Sequence, residues 1–204
     1  RCDLKAKGVY NYAQDASTEV LCMSYAFGDG EVQTWTPPQE FPAAVRNHTG
    51  LIYAHNAAFE RLIFWYVLQV DFKLEQFYCT AAQARANCAP GSLEDVGRFA
   101  GADMRKDHRG SQLIRLLSVP QANGQFREDA ALMAEMVAYC EQDVKVMRAI
   151  SQALRPLSDD ELLDYHVNEQ INDRGVLVDV PLCHAAVKYA ADETVEIQQI
   201  VTEV

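Results

Sequence analysis

The stretch Leu51-Ile52-Tyr53-Ala54-His55-Asn56-Ala57-Ala58-Phe59-Glu60 passes from an apolar run straight into a segment with helical spacing. Leu51 to Ala54 reads as a buried strand, and apolar residues recur at helical intervals from Ala57 to Val70. Asn56 and Glu60 therefore emerge where a strand hands over to a helix.

On the N-terminal side, Glu19 to Phe27 reads as a strand, Gly28-Asp29-Gly30 as a tight turn and Glu31 to Trp35 as the antiparallel return. Pro37-Pro38 stops the pairing, and Glu40 to Asn47 is a short helix. On the C-terminal side, Gln76 to Cys79 is a further short strand. Helices are then expected over Ala81 to Asn87, Leu93 to Phe99 with Ser92 as N-cap, and Gln112 to Leu117. A long helix from Glu128 to Leu154 ends at Arg155-Pro156. Ser158 caps a helix to Asn172, Gly175 to Val180 is a short strand, and Pro181 stands at the start of a last helix. A hairpin followed by alternating strands and helices defines an α/β fold with a mixed sheet, an architecture shared by several families.

The long helix carries Tyr139-Cys140-Glu141-Gln142-Asp143, which sets a phenol and a carboxylate four residues apart on one face. Both side chains can reach one ligand there. Taken alone, the pair also fits a buried tyrosine near a helix-surface aspartate. Likewise Asn56 fits a helix cap and Glu60 a solvated acid. Their order, their spacing and the strand or helix beneath each raise the signal, and together the two motifs look like a nuclease site.

Composition limits what such a site can be. The chain has 204 residues, 49% hydrophobic and 23% charged, enough for one packed domain and part of another. Its longest apolar stretch, Leu62 to Leu68, is far short of the roughly 20 residues that cross a bilayer, so no membrane role is expected. Cys2, Cys22, Cys79, Cys88, Cys140 and Cys183 include no Cys-x-x-Cys pair. A reducing cytoplasm is therefore expected, with no zinc site or disulfide framework. The chain opens on Arg1, shows no targeting signal, and ends inside a helical pattern, so we expect a piece of a longer protein.

A formal charge of -11 excludes a protein that coats nucleic acid through bulk positive charge. It does not exclude a nuclease, because divalent cations held by acids supply the positive field that phosphate meets. Local basic residues for a strand are expected in Arg105-Lys106-Asp107-His108-Arg109-Gly110, a segment that equally fits a solvated loop.

With these residues in place, the chain resembles the 3′-5′ exonuclease domain of phage-type family A DNA polymerases, members of the DEDD exonuclease superfamily. Besides the two motifs, the similarity rests on Asp3-Leu4-Lys5 with Gly8 and Tyr12-Ala13, on Ser17-Thr18-Glu19-Val20-Leu21, on Pro90-Gly91-Ser92-Leu93 and on Gly110-Ser111-Gln112-Leu113-Ile114. Ile171-Asn172-Asp173-Arg174-Gly175-Val176 with Val178-Asp179 is similar to the start of that family's polymerase region.

The resemblance implies a ribonuclease-H-like mixed sheet with flanking helices over residues 1–155 and a mainly helical start of the polymerase region over 156–204. It implies two Mg²⁺ or Mn²⁺ ions that activate water against the terminal phosphodiester. Asp143 matches a direct metal ligand, Glu60 an acid on the other metal, and Tyr139 the phenol that orients the water, which marks the DEDDy subgroup. Asn56 and Phe59 match positions that touch the terminal nucleotides of single-stranded DNA or a frayed 3′ primer end. His55 is a further candidate contact, and fits equally a satisfied polar residue at a strand end. The family context is a bacterial cell or a phage-infected bacterium.

Two departures matter. Glu60 stands where aspartate is commoner. The family's first motif, Asp-x-Glu on the first strand, has no counterpart here, so the first strand and two of four acids are expected to be missing and the segment alone to be inactive. Two further readings stay open: a non-catalytic scaffold that holds DNA or braces a polymerase, and a ribonuclease that trims RNA.

Overall fold

The computed structural model describes residues 3–99, 109–121 and 123–202. Two compact units divide the chain, Arg1–Val167 and Asn168–Val204. These are units of packing. The boundary expected from sequence falls earlier, at 155/156.

The first unit opens on a helix that sequence periodicity did not reveal, α1 (Leu4–Gln14). Asp3 caps it by accepting from Lys5 N at 2.8 Å. Gly8, at φ +76°, kinks it, and Ala13 is its one buried residue, so little apolar periodicity was available to read.

Strands β1 (Met23–Tyr25) and β2 (Gln33–Trp35) pair antiparallel, with Ser24 opposite Thr34. Between them, Gly28 adopts φ +52° and Gly30 N–H donates to the Phe27 carbonyl at 3.0 Å, making the expected turn. The ladder is shorter than the expected Glu19–Phe27 because the return strand begins only at Gln33, and a strand extends only where a partner faces it.

After α2 (Ala43–Arg46) comes β3 (Ile52–Ala54), which pairs parallel with β4 (Phe77–Cys79). Parallel neighbours need a crossover, and α3 (Ala58–Tyr66) supplies it. This helix stops short of the expected Val70. Gln69, at φ +53°, turns the chain so that Val70 N–H reaches the Phe64 carbonyl at 2.8 Å and the Val70 side chain is buried. All three residues of β4 are buried, as expected of a strand covered on both faces. The described strands thus form two separate two-stranded ladders, not the single mixed sheet expected from sequence.

Helices α4 (Thr80–Ala86), α5 (Leu93–Phe99), α6 (Arg109–Ser118), α7 (Ala130–Ala153) and α8 (Asp159–Arg174) follow. Asp129 caps α7, and Ser92 Oγ accepts from Asp95 N at 3.1 Å as the cap of α5. Ser158 and Glu161 exchange backbone bonds of 2.8 and 3.3 Å at the start of α8, a reciprocal capping box. Buried Gln83 donates to the carbonyls of Ser151, Leu154 and Arg155, satisfying the C-terminal end of α7. Val146 and Ile150 of α7 pack with Ala84 and Val96, while Met136 packs with Leu113 and Leu117 of α6. The long helix is therefore the spine of this unit.

In the second unit, α9 (Val180–Thr202) is capped by Asp179, which accepts from Leu182 N at 3.0 Å. Pro181 sits in its first turn, where no backbone N–H is required. The strand expected at Gly175 to Val180 is not formed. Val176 and Leu177 are 86% and 99% exposed, and among the described residues no strand lies alongside to pair with them. Among the described residues no helix is long and apolar enough to cross a membrane.

Candidate active site

Tyr139 and Asp143 lie one turn apart on α7, and neighbouring elements fix that helix. Thr34 Oγ1 donates to Glu141 Oε1 at 3.1 Å, and Ser24 Oγ lies 2.8 Å from Thr34 Oγ1. Near the far end of α7, Arg148 donates to the Gly30 carbonyl and Gln152 to Asp29 Oδ1, each at 2.9 Å. The β1–β2 hairpin is thus bound along the helix that carries the phenol and the acid.

The N-terminus of α6 sets the phenol itself. A Cβ built on buried Gly110 would come within 2.3 Å of Tyr139 Cζ and 2.7 Å of its hydroxyl, so the ring lies against a position that only glycine leaves open. Beside it, Arg109 makes a bidentate pair with Glu135 at 2.6 and 2.7 Å. Glu135 is one turn before Tyr139 on α7. Sequence periodicity gave no hint of these two supports, because their partner lies on another helix.

Both acids are poorly solvated. Glu60 opens α3, and its Oε2 is sealed from solvent with no hydrogen-bond partner. As a whole the residue is half-buried, so the burial is concentrated at the carboxyl end. Burial pushes its pKa up to about 7, against the opposing effect of its own backbone N–H. Asp143 is raised to about 6, again by burial. Two desolvated carboxyl groups without a neutralising cation are costly, and hard oxygen donors of this kind suit Mg²⁺ or Mn²⁺. The residues present therefore fit part of a divalent-metal site. Among the described residues, no three His, Cys, Asp or Glu side chains converge on one point.

A cavity of about 460 Å³ separates the two ladders. Met23 and Tyr25 of β1 and Ile52 and Ala54 of β3 contribute to its lining. So do Val144 and Met147 of α7, together with Glu60. One strand of each ladder thus lines the same space, as do Glu60 and the residue after Asp143.

The remaining sequence candidates fall in different surroundings. Asn56 is exposed, at φ +64°, and its carbonyl accepts from Phe59 N at 3.0 Å. It does not cap α3 through its side chain, since the cap position is Ala57. Phe59 stacks on Tyr12 of α1, with ring centroids 6.1 Å apart and planes at 29°. Both ring nitrogens of His55 are engaged: Nε2 with the Gly91 carbonyl and Nδ1 with Thr80 Oγ1, each at 3.0 Å. The carbonyl can only accept, so Nε2 carries a proton, while Thr80 Oγ1 also reaches the Ala54 carbonyl at 3.3 Å. Burial holds the pKa of this imidazole below the usual value, with the Gly91 carbonyl opposing. Arg109 is bound to Glu135, while Arg105 and Lys106 lie outside the described residues.

The first unit is accordingly a mixed α/β domain with two shielded acids and a phenol on elements flanking one cavity. The chain is similar to a DNA polymerase of Bacillus phage SP02, 34% identical over 209 residues that cover 94% of this chain and 32% of that protein. It is a relative of a phage DNA polymerase and spans about a third of that relative's length. No family model matches the chain, and no solved structure matches it.

Proposed function

We propose that this chain is the proofreading portion of a DNA-directed DNA polymerase, a 3′-5′ exonuclease acting on single-stranded DNA or a frayed primer end. Residues 1–155 are read as the exonuclease domain and 156–204 as the beginning of the polymerase region. The observation that carries this reading is the pair of shielded carboxyl groups, Glu60 and Asp143, with Tyr139 one turn from Asp143. Similarity to a phage DNA polymerase supports a replicative role for the chain.

Asp143 and Glu60 would each hold one of two divalent ions. When bound, such ions supply the charge that activates water and steadies the departing 3′ oxygen. The protein's own groups orient the reaction. Tyr139, its ring held by Gly110, presents a hydroxyl to the attacking water. Phe59, backed by Tyr12, offers an apolar face to a terminal base, and exposed Asn56 offers a hydrogen-bonding amide.

A ribonuclease-H-like sheet is supported by the cavity between the ladders, since a strand laid there could pair with the free edges of β1 and β3. In the parent polymerase, an Asp-x-Glu segment in that space would bring its acids toward Glu60. Among the described residues no third acid joins Glu60 and Asp143. Exposed Leu182, Val187 and Tyr189 on α9 fit a helix that packs against more of a larger protein.

The scaffold reading is favoured by one observation, that no three metal-binding side chains converge among the described residues. The experiment that separates the two is Mg²⁺-dependent release of nucleotides from a labelled single strand by the parent polymerase and its Asp143→Ala form. Proofreading requires release by the former, loss in the latter and binding by both. Binding without release by the unaltered parent establishes the scaffold.

A further inference from the structure

Cys22, immediately before β1, and Cys140, on α7, bring their sulfur atoms within 3.6 Å across 118 residues of sequence. Both thiols are half-buried. They pack against the cluster of Leu113, Leu117 and Met136, as does Tyr139. Of the other described thiols in this unit, Cys79 belongs to the core around Phe77 and Cys88 is exposed.

We propose that Cys22 and Cys140 are a redox modification site, oxidised by a hydroperoxide to a disulfide that ties the hairpin to the helix carrying Tyr139 and Asp143. The distance has only to close from 3.6 Å to the roughly 2.05 Å of a disulfide, within reach of side-chain rotation. The Thr34–Glu141, Arg148–Gly30 and Gln152–Asp29 bonds already hold the two elements together, so the backbone need not rearrange.

The thiols are unequal. Hydrogen bonding from Cys140 holds the Cys22 thiol below its usual pKa. The same contact, burial and the nearby Asp143 and Glu141 carboxylates push Cys140 up. The direction of these shifts favours Cys22 as the attacking thiol, which reacts in its thiolate form. Its sulfur takes the terminal peroxide oxygen, the O–O bond breaks, and the other oxygen leaves as an alcohol, or as water from hydrogen peroxide. Cys140 then attacks the Cys22 sulfenic acid. The S–S bond forms, the S–O bond breaks, and the hydroxyl leaves as water with the Cys140 proton. Two thiols lose two electrons in all, and the hydroperoxide gains them.

The chemistry stands without the nuclease reading, whereas its effect on DNA hydrolysis rests on that reading. The test is to treat the folded chain with hydrogen peroxide, block free thiols with N-ethylmaleimide and map its peptides without reduction. The expected result is a crosslinked pair of peptides containing Cys22 and Cys140, released by dithiothreitol and absent from Cys22→Ser and Cys140→Ser. Oxidation should also raise the unfolding midpoint by about 5–10 °C, since the bridge closes a long loop. Cys22 and Cys140 both remaining open to alkylation after oxidation of Cys88 would overturn the proposal, whatever the variants do. Because the readout is the peptide map, it holds even if the parent polymerase proves to have no nuclease activity.

Discussion

The ring of Tyr139 rests on the Cα of Gly110, so closely that a methyl group there would overlap Cζ at 2.3 Å. The glycine is required by the neighbouring side chain. Gly110→Ala should force the phenol aside and destabilise the chain by about 1–3 kcal/mol, the usual range for overpacking. Chemical denaturation measures this, and an unchanged midpoint would show that α6 can shift at no cost. On a Tyr139→Ala background Gly110→Ala should cost much less, because the small side chain leaves room for the methyl.

Tyr139→Phe keeps the ring on Gly110 and removes only the hydroxyl. In the parent polymerase, nucleotide release from a labelled single strand should slow by about 10- to 100-fold, corresponding to a contribution of a few kcal/mol. Binding of that strand should be unaltered. Equal rates for the two forms would remove Tyr139 from the chemistry.

Glu60 sets the direction of a pH dependence. Its folded pKa of about 7 lies above the ordinary 4.5, so within that window the folded chain holds a proton that the unfolded chain has released. Stability of the metal-free chain is therefore greatest on the acid side and falls as pH rises from 4.5 through about 7. The loss is on the order of 2 kcal/mol, less than the full shift because the residue as a whole is half-buried. Denaturation midpoints near pH 5 and pH 8, about three units apart across this window, should differ for the native chain and differ by less for Glu60→Gln, the remainder coming from Asp143, whose pKa is also raised. Added Mn²⁺ should restore stability on the alkaline side through binding to the ionised form.

His55 joins β3 to the Gly91 carbonyl and to Thr80. His55→Ala leaves that half-buried carbonyl without its donor and should cost about 1–3 kcal/mol in thermal or denaturant unfolding. A loss of single-strand binding with full stability would instead assign His55 to DNA contact.

The sequence pattern located the local elements well and their ends poorly. The apolar runs at Leu51–Ala54 and Gln76–Cys79 marked β3 and β4, and Ser92, Ser158 and Pro156 marked helix ends, because each signal lies within a few residues of its effect. Residues Gly175 to Val180 looked like a strand by composition. They are not one, since strand structure depends on a partner that composition does not report. Helix α1 escaped notice for the converse reason: Gly8 and a polar surface hide its period.

The sequence alone determined where the candidate residues stand, Tyr139 and Asp143 one turn apart on a helix and Glu60 at a strand-to-helix junction, because helical spacing is a local property. It also identified the relationship to a phage polymerase. Only the tertiary structure decided the state of those residues. Burial by distant elements raises Glu60 and Asp143, Gly110 of another helix seats Tyr139, and Glu135 engages Arg109. The cavity between two separate ladders and the Cys22–Cys140 contact likewise arise from residues remote in sequence. Solvation, steric fit and thiol proximity depend on which surfaces meet after folding, and that information is not carried by the spacing of residues along the chain.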